Sequence, residues 1–239
     1  MGYGTALTPI LLIMGIHPLT AVPAVLIGQL FGGLIAGVTH QKIGNINLDF
    51  RPVKRLKGWG YLPRSPDARA FLFIGSLGVF GAITGVFTAV NIPSLILKTY
   101  IGAMVLLFGL VILLGKTVSI SWKGLLGVGL LAGFNKGIGG GGYGPLVTAG
   151  QLIGAREPKS SVGVTTCTKS LICLVGFLCY LFQRDLNIPL IIATVTGAVL
   201  AAPFAAMTTK KLKVGRLKLI IGVVTVLLGA ATLLRTYVK

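Results

Sequence analysis

The chain has 239 residues, of which 54% are hydrophobic and only 11% charged, and its mean hydropathy is +0.91. A soluble domain carries about a quarter charged residues, so this composition excludes an ordinary soluble protein and predicts an all-α integral membrane protein. A net charge of +18 is compatible with a nucleic-acid partner. The basic residues, however, lie between apolar segments, where the positive-inside rule places them. We therefore expect anionic lipids beside them and no nucleic acid.

The apolar stretches fall into two length classes. Stretches of about 20 residues cross a bilayer core of about 30 Å, and about six such spans lie at 20–39, 71–90, 97–115, 161–182, 188–208 and 216–236. Shorter stretches, which cannot cross at a rise of about 1.5 Å per residue, lie at 5–16, 122–136 and 143–155. The last two flank the glycine run 137–142. They predict a re-entrant hairpin or broken helix, whose unwound turn must be buried in protein or line a cavity.

Much of the sequence occurs twice, with a spacing of about 140 residues. Gly2-Tyr3-Gly4 recurs as Gly142-Tyr143-Gly144, and Pro18 recurs as Pro158. A spacing of about 120 relates 97–109 to 217–229. Duplication in an apolar chain is typical of secondary transporters, whose substrate site lies where the two halves meet.

Charge predicts how these repeats cross the membrane. Sixteen of the 22 basic residues fall in clusters at 42–69, 116–123, 156–159 and 210–218. If 122–136 and 143–155 together return to the side they left, all four clusters lie on one face, and the positive-inside rule makes that face cytoplasmic. Pro18 then faces outward and Pro158 inward, which predicts inverted repeats in a multi-pass protein of the cell membrane.

We divide the chain into a first repeat, 1–115, which holds the basic cytoplasmic loop 40–70, and a second repeat, 116–239. An apolar arm, 122–136, precedes the glycine motif of the second repeat, whereas the first repeat opens directly at Gly2-Tyr3-Gly4. We expect an N-terminal arm to be missing from this sequence. The alternative is that the protein works without it.

The glycine motifs are the strongest local signal for a site. Glycine permits turns that other residues resist, and a helix that begins after such a turn presents free N–H groups and partial positive charge to an anion. Two other interpretations were weighed. The glycines could serve only close helix packing. Gly137-x-Gly139-x-x-Gly142 also matches a dinucleotide fingerprint, but membrane arms flank it here instead of a βαβ unit, so we predict no nucleotide.

Two lysines lie where charge is costly and usually functional: Lys136 at the glycine turn and Lys169 in the middle of a span. The repeat pairs Lys169 with Gln29, and no Asp or Glu occurs inside a predicted span. A buried lysine without a carboxylate partner is expected to attract an anion. The alternatives are loss of its proton, snorkelling to a surface and, for Lys136, an interfacial anchor.

The predicted substrate-binding set combines both glycine turns, both lysines and neutral donors. It comprises Gly2, Gly4, Thr5, Gln29, Asn135, Lys136, Gly139, Gly140, Gly141, Gly142, Gly144, Thr165, Thr166 and Lys169. The three cysteines and two histidines form no metal-ligand spacing, so we expect no metal and no cofactor. The spans hold no acid–base pair or nucleophile constellation, so we do not predict an enzyme.

With these residues in hand, the chain resembles the TauE/SafE family of membrane transporters, the sulfite and organosulfonate exporters. A glycine turn in each half, followed by a short arm, a proline turn and a helix of small residues, carries the resemblance. The residues are Gly2-Tyr3-Gly4-Thr5, Thr8-Pro9, Pro18 and Ala21-Val22, and then 139–145, Pro158, Val162-Gly163 and Thr165-Thr166. The resemblance implies two inverted repeats that converge on a central site for a small sulfur oxyanion or related organic anion.

The chain departs from the family in two respects. Members usually have an arm before the first glycine turn, and members often carry Glu at the positions of Gln29 and Lys169. The second departure puts proton coupling and the choice of substrate in question. We predict a transporter of a small, sulfite-like anion that works by alternating access. The alternatives are a passive anion channel and a truncated, non-functional or structural membrane fragment. A homodimer is one option for the oligomeric state.

Overall fold

The computed structural model describes residues 2–53, 62–114, 122–153, 156–183, 186–211 and 214–238. In these ranges the chain is all-helical apart from one isolated bridge between Pro52 and Pro63, which confirms the predicted all-α class. The helices in chain order are α1 (Tyr3–Ile13), α2 (Pro18–Lys42), α3 (Pro66–Asn91), α4 (Ser94–Leu114), α5 (Trp122–Gly139), α6 (Tyr143–Ile153), α7 (Pro158–Leu181), α8 (Ile188–Lys211) and α9 (Val214–Tyr237).

Within the described ranges, five segments are long and apolar enough to cross a membrane. They are Pro18–Lys42, Pro66–Asn91, Ser94–Leu114, Lys159–Leu181 and Leu219–Tyr237. These correspond to five of the predicted spans. The sixth, 188–208, lies in α8, where the apolar described part, Ile188–Ala201, is shorter, so a sixth span stays a prediction.

Each short arm forms a helix that begins or ends at a glycine turn. α5 runs three residues beyond the predicted arm, to Gly139, and α6 begins at Tyr143. Between them Gly140 and Gly142 have φ values of 68° and 80°, and Gly2, immediately before α1, has φ 101°. Only glycine adopts this left-handed backbone at little cost. The duplicated Gly-Tyr-Gly motif therefore marks the same local structure twice: a left-handed glycine followed by a helix start.

Repeat-related helices run in opposite directions. Between α2 and α7 the residue number of the contact falls in α7 as it rises in α2: Leu26 meets Gly176, Gly33 meets Ser170 and His40 meets Gly163. The same holds for α4 and α9, where Gly102 meets Leu233 and Gly109 meets Val226. Small residues at these crossings let the helices approach closely, as is common inside membranes.

The α5–α6 unit leaves one end of the bundle and returns to it. α5 runs parallel to α3: Ile74 meets Gly129, Gly78 meets Gly133 and Ala82 meets Gly137. The far end of the unit comes back to the start of α3, because Arg156, three residues after α6, pairs with Asp67. We call this end of the bundle the basic end; its described cations include Lys42, Arg51, Arg64, Arg69, Arg156 and Lys159.

The glycine turn itself lies deep in the bundle. Gly137 packs on the backbone of Ala82, which lies about 24 Å from the start of α3 at about 1.5 Å per residue. Unwound backbone at this depth has to be enclosed by protein, and Gly140, Gly141 and Gly142 are all buried. Some of the predicted basic clusters, including Lys54, Arg55, Lys57 and Lys116, lie outside the described residues.

Candidate functional site

A small cavity lies where the start of α1 meets the start of α6. The Gly142 N–H donates to the Thr5 hydroxyl at 3.2 Å, and Gly141 packs on the backbone of Thr5. The cavity is lined by Gly2, Gly4, Thr5, Gln29, Lys136, Gly141, Gly142, Tyr143, Gly144, Thr165, Thr166 and Lys169. The first N–H groups of a helix lack partners within it, so two helix starts give this wall a positive potential from the backbone alone.

All but three of the predicted site residues line this cavity. Asn135 instead accepts a hydrogen bond from the Tyr100 hydroxyl, and Gly139 packs beside Ile101 and Met104. Gly140 lies just behind the wall, where its carbonyl oxygen accepts from two side chains. The structure thus brings together residues from both repeats, while their contact with a substrate stays a prediction.

Tyr143 lines the cavity although it is absent from the predicted set. It is 1% exposed and occupies the middle of the second Gly-Tyr-Gly motif, so the motif itself was the signal. Its repeat equivalent, Tyr3, has a different role: the Tyr3 hydroxyl donates to the Thr194 carbonyl at 2.8 Å, which attaches the start of α1 to α8.

Lys136 forms a closed hydrogen-bonded triangle with Gln29 and Gly140. Its Nζ donates to Gln29 Oε1 at 2.5 Å and to the Gly140 carbonyl at 2.8 Å. The Gln29 amide Nε2 donates to the same carbonyl at 2.9 Å. Lys136 is only 1% exposed, so it lies inside the protein and is not an interfacial anchor. The triangle joins α2 to α5 and fixes the orientation of the carbonyl at the glycine turn.

Lys169 differs from Lys136 although both line the cavity. Its ammonium makes no hydrogen bond or ion pair with any described residue, and its Cε lies near Gly33 of α2. The three donors of the ammonium are therefore available to a ligand. Since Lys169 and Gln29 are equivalent by repeat, the two repeats bring an amine without a described partner and an amide bound to Lys136 to one cavity.

The charge of these lysines is not balanced nearby. The ion pair between Arg156 and Asp67 is the one found among the described residues, and it lies at the basic end. No cluster of His, Cys, Asp and Glu suited to a metal occurs in the described part of the chain. Ammonium groups, hydroxyls and free backbone N–H groups are hydrogen-bond donors, and together they suit the oxygens of an anion.

A chain of polar side chains leads from the cavity along α6 and α7, which sequence reasoning missed. The Gln151 amide donates to the Thr165 hydroxyl at 2.8 Å and to the Ser161 carbonyl at 3.3 Å. Thr148 donates to Thr165 at 3.1 Å. Gln151, Ser161 and Thr165 are fully buried. The signal in the sequence was a difference between the repeats. Where the second repeat has these three polar residues, the equivalent residues of the first repeat are Leu11, Ala21 and Val25.

Comparison with known proteins agrees with this picture. The profile of the family described as sulfite exporter TauE/SafE matches residues 1–232. The chain is 28% identical to the probable membrane transporter protein YtnM of Bacillus subtilis (strain 168), over 255 aligned positions that cover 100% of this chain and 78% of that protein. No solved structure matches the chain. Because the family profile takes in nearly the whole sequence, this protein belongs to the sulfite exporter TauE/SafE family of membrane transporters.

Proposed function

We propose that the protein moves a small anion, such as sulfite or an organosulfonate, across the cell membrane by alternating access. The observation that carries the proposal is the cavity between the two glycine motifs, which combines two lysines, two helix starts and no described acid. A charge buried without a partner is strongly unfavourable. An anion in the cavity would relieve that cost, and its oxygens would match the surrounding donors.

The two lysines have different roles in this proposal. Lys169 binds the anion directly, because its ammonium has no described partner. Lys136 positions the glycine turn, because Gln29 and the Gly140 carbonyl already occupy two of its three donors. Thr5 and Thr166 provide neutral hydroxyls around the anion, whereas the Thr165 hydroxyl accepts from Gln151 and Thr148. With no described carboxylate at the cavity, we propose that any proton coupling depends on protonation of the substrate itself.

The packing of the helices supports inverted repeats. Helices related by the 140-residue spacing, α2 and α7, run antiparallel, and so do α4 and α9, which the 120-residue spacing relates. By the positive-inside rule the basic end would face the cytoplasm. Two inverted repeats that meet at a central site can expose that site to each side in turn.

A carrier fits the closed far end of the cavity better than a channel does. Beyond the glycine turn, away from the basic end, α1 and α2 contribute a buried apolar cluster that includes Leu11, Leu12, Val22 and Leu26. Such packing occludes an anion unless the helices move. A channel would require a continuous wet path through this cluster.

The proposal is tested by uptake of radiolabelled sulfite into proteoliposomes that contain the purified protein. Lys169→Met should abolish uptake, whereas Lys159→Met, an exposed lysine at the start of the same helix, should leave it intact. Sulfate, thiosulfate and methanesulfonate as competitors would rank the substrate class. Saturable uptake is expected. Ohmic current would indicate a channel, and full activity in Lys169→Met would remove that residue from the site.

A further inference from the structure

A route from the cavity to the basic end would follow α7, and one side chain covers it. Going toward the start of α7, the helix presents Lys169, then Thr166 and Thr165, and then Gly163. Ile46, in the segment after α2, packs directly on Gly163 and is only 3% exposed. Gly163 lies about 4.5 Å along the helix from Thr166 at about 1.5 Å per residue. Ile46 therefore lies between the cavity and the basic end.

The Ile46 segment is held in place by Asp67 at the start of α3. One carboxylate oxygen of Asp67 accepts from Arg156 Nη2 at 2.6 Å and from the Ser160 hydroxyl at 2.6 Å. The other oxygen accepts from the backbone N–H of Asn47 at 2.9 Å. Asp67 thus joins three pieces of chain: its own helix, the start of α7 and the residue next to Ile46.

This cluster is better connected than a surface ion pair. The side chains of Arg156 and Asp67 are 13% and 15% exposed, and Arg156 also donates to the Pro66 carbonyl at 3.2 Å and to Ser160 at 3.1 Å. Exposed ion pairs contribute little, whereas removing one partner of a largely buried pair leaves the other charge uncompensated. The contacts also cross between the repeats, since Asp67 belongs to the first and Arg156 to the second.

We propose that Ile46 is the gate at the basic end and that Asp67, with Arg156 and Ser160, is the latch that keeps it closed. This inference rests on the proposed alternating-access transport. In each cycle Ile46 leaves Gly163 when Asp67 releases Arg156 and Asn47, and the anion passes along the face of α7 that holds Thr166 and Gly163. Opening the latch exposes the partly buried Cys167, which packs beside the cluster that contains Ile46.

The gate is tested by locking it with an engineered disulfide. A Cβ atom at position 163 would lie 3.5 Å from the Cβ of Ile46, within the range of about 3.5–4.5 Å that disulfides adopt. We expect Ile46→Cys/Gly163→Cys, with Cys167→Ser to prevent mispairing, to lose sulfite transport on oxidation and to regain it with a reductant. Ile46→Cys/Cys167→Ser under the same oxidant is the control, because in Gly163→Cys alone the new Cβ would collide with Ile46 Cγ2. Undiminished transport with the disulfide verified by mass spectrometry would overturn the gate.

The latch is tested without any transport assay. In the otherwise native protein, Asp67→Asn should increase the rate at which a membrane-impermeant maleimide modifies Cys167, measured peptide by peptide. Asp49→Asn removes the same charge from the segment that holds Ile46; among the described residues the Asp49 carboxylate accepts only from the Arg51 N–H, and this change should have no effect. Equal Cys167 labelling in Asp67→Asn and the parent would overturn the latch. If instead the labelling rises but no anion is transported, the proposed function fails and the latch stands.

Discussion

The two repeats build the same backbone around the cavity but fill it with different chemistry. Each contributes a left-handed glycine and a helix start, Gly2 with α1 and Gly142 with α6. Both lysines come from the second repeat, and so does the polar chain through Gln151 and Thr165. The first repeat places Leu11 and Val25 at the equivalent positions. The backbone turns are thus alike in the two halves, whereas both lysines of the cavity belong to the second half.

The largest effect is expected where the two repeats touch. A Cβ on Gly4 would collide with the Gly140 carbonyl and with the Gln29 amide, so Gly4→Ala should destabilise the fold. Overpacking of this kind costs about 1–3 kcal/mol, and thermal unfolding of the purified protein measures it. Gly127→Ala in α5, where a Cβ would meet nothing, is the matched control. Equal melting temperatures for the two variants would mean that the motifs do not pack as described.

Lys169 of the second repeat corresponds to Gln29 of the first. Replacing the lysine with glutamine therefore tests whether the difference in charge between the repeats matters for binding. Lys169→Gln should weaken sulfite binding by about 10- to 100-fold, since a hydrogen bond to a charged group contributes about 1.5–3 kcal/mol. The anion-induced rise in melting temperature reports the affinity. Lys159→Gln should keep the parent response. An unchanged response in Lys169→Gln would place the anion elsewhere.

A carboxylate at Gln29 should separate stability from binding. In Gln29→Glu the new acid would pair with Lys136 across the existing 2.5 Å contact. We expect the stability of the unliganded protein to change little, because the buried ammonium gains a counter-charge while the carboxylate cannot donate to the Gly140 carbonyl as the amide does. Anion binding should weaken at the same time, because the cavity loses net positive charge. Undiminished anion binding in Gln29→Glu would show that the anion does not bind beside this side chain.

The smallest effect is expected from replacing one residue of the polar chain along α6 and α7 with its apolar equivalent from the first repeat. Thr165→Val introduces the side chain type found at Val25 and removes the acceptor of the Gln151 amide. The loss of this buried hydrogen bond should cost about 1 kcal/mol of stability and slow transport without changing anion affinity. Thr225→Val is the control, because among the described residues the buried Thr225 hydroxyl bonds only to its own helix, at Ile221. A weakened affinity would instead make Thr165 a direct ligand.

What the sequence could predict follows from local chemistry. Pro18 and Pro158 fix the first turns of α2 and α7, a position at which the missing N–H of proline does no harm. Apolar length predicts the spans, and the paired glycines predict the turns. These features depend on residues close together in the chain, which is why the helices lie near the predicted ranges and why most of the predicted site residues meet at one cavity.

The rest of the site depends on contacts between residues far apart in the chain, which no local sequence pattern contains. Lys136 and Gln29 are 107 residues apart, and only the packed helices show that the amide bonds to Lys136 while Lys169 has no partner among the described residues. Asn135 was predicted as a donor to substrate, yet its oxygen accepts from Tyr100. The segment 40–70 was predicted as a basic cytoplasmic loop; its described part buries Ile46, and the backbone N–H of Asn47 donates to Asp67. Charge counts cannot distinguish a solvated loop from a packed one.

The return of α5–α6 to its own starting side has a consequence for biosynthesis. The ammonium of Lys136 finds acceptors in Gln29 and Gly140 only after α2 stands beside the turn, and Gly133 finds its place only against the backbone of Gly78. Lipid offers none of these acceptors. We therefore expect the first repeat to assemble before α5 and α6 pack against it. The first half of the chain would then guide the folding of the second half.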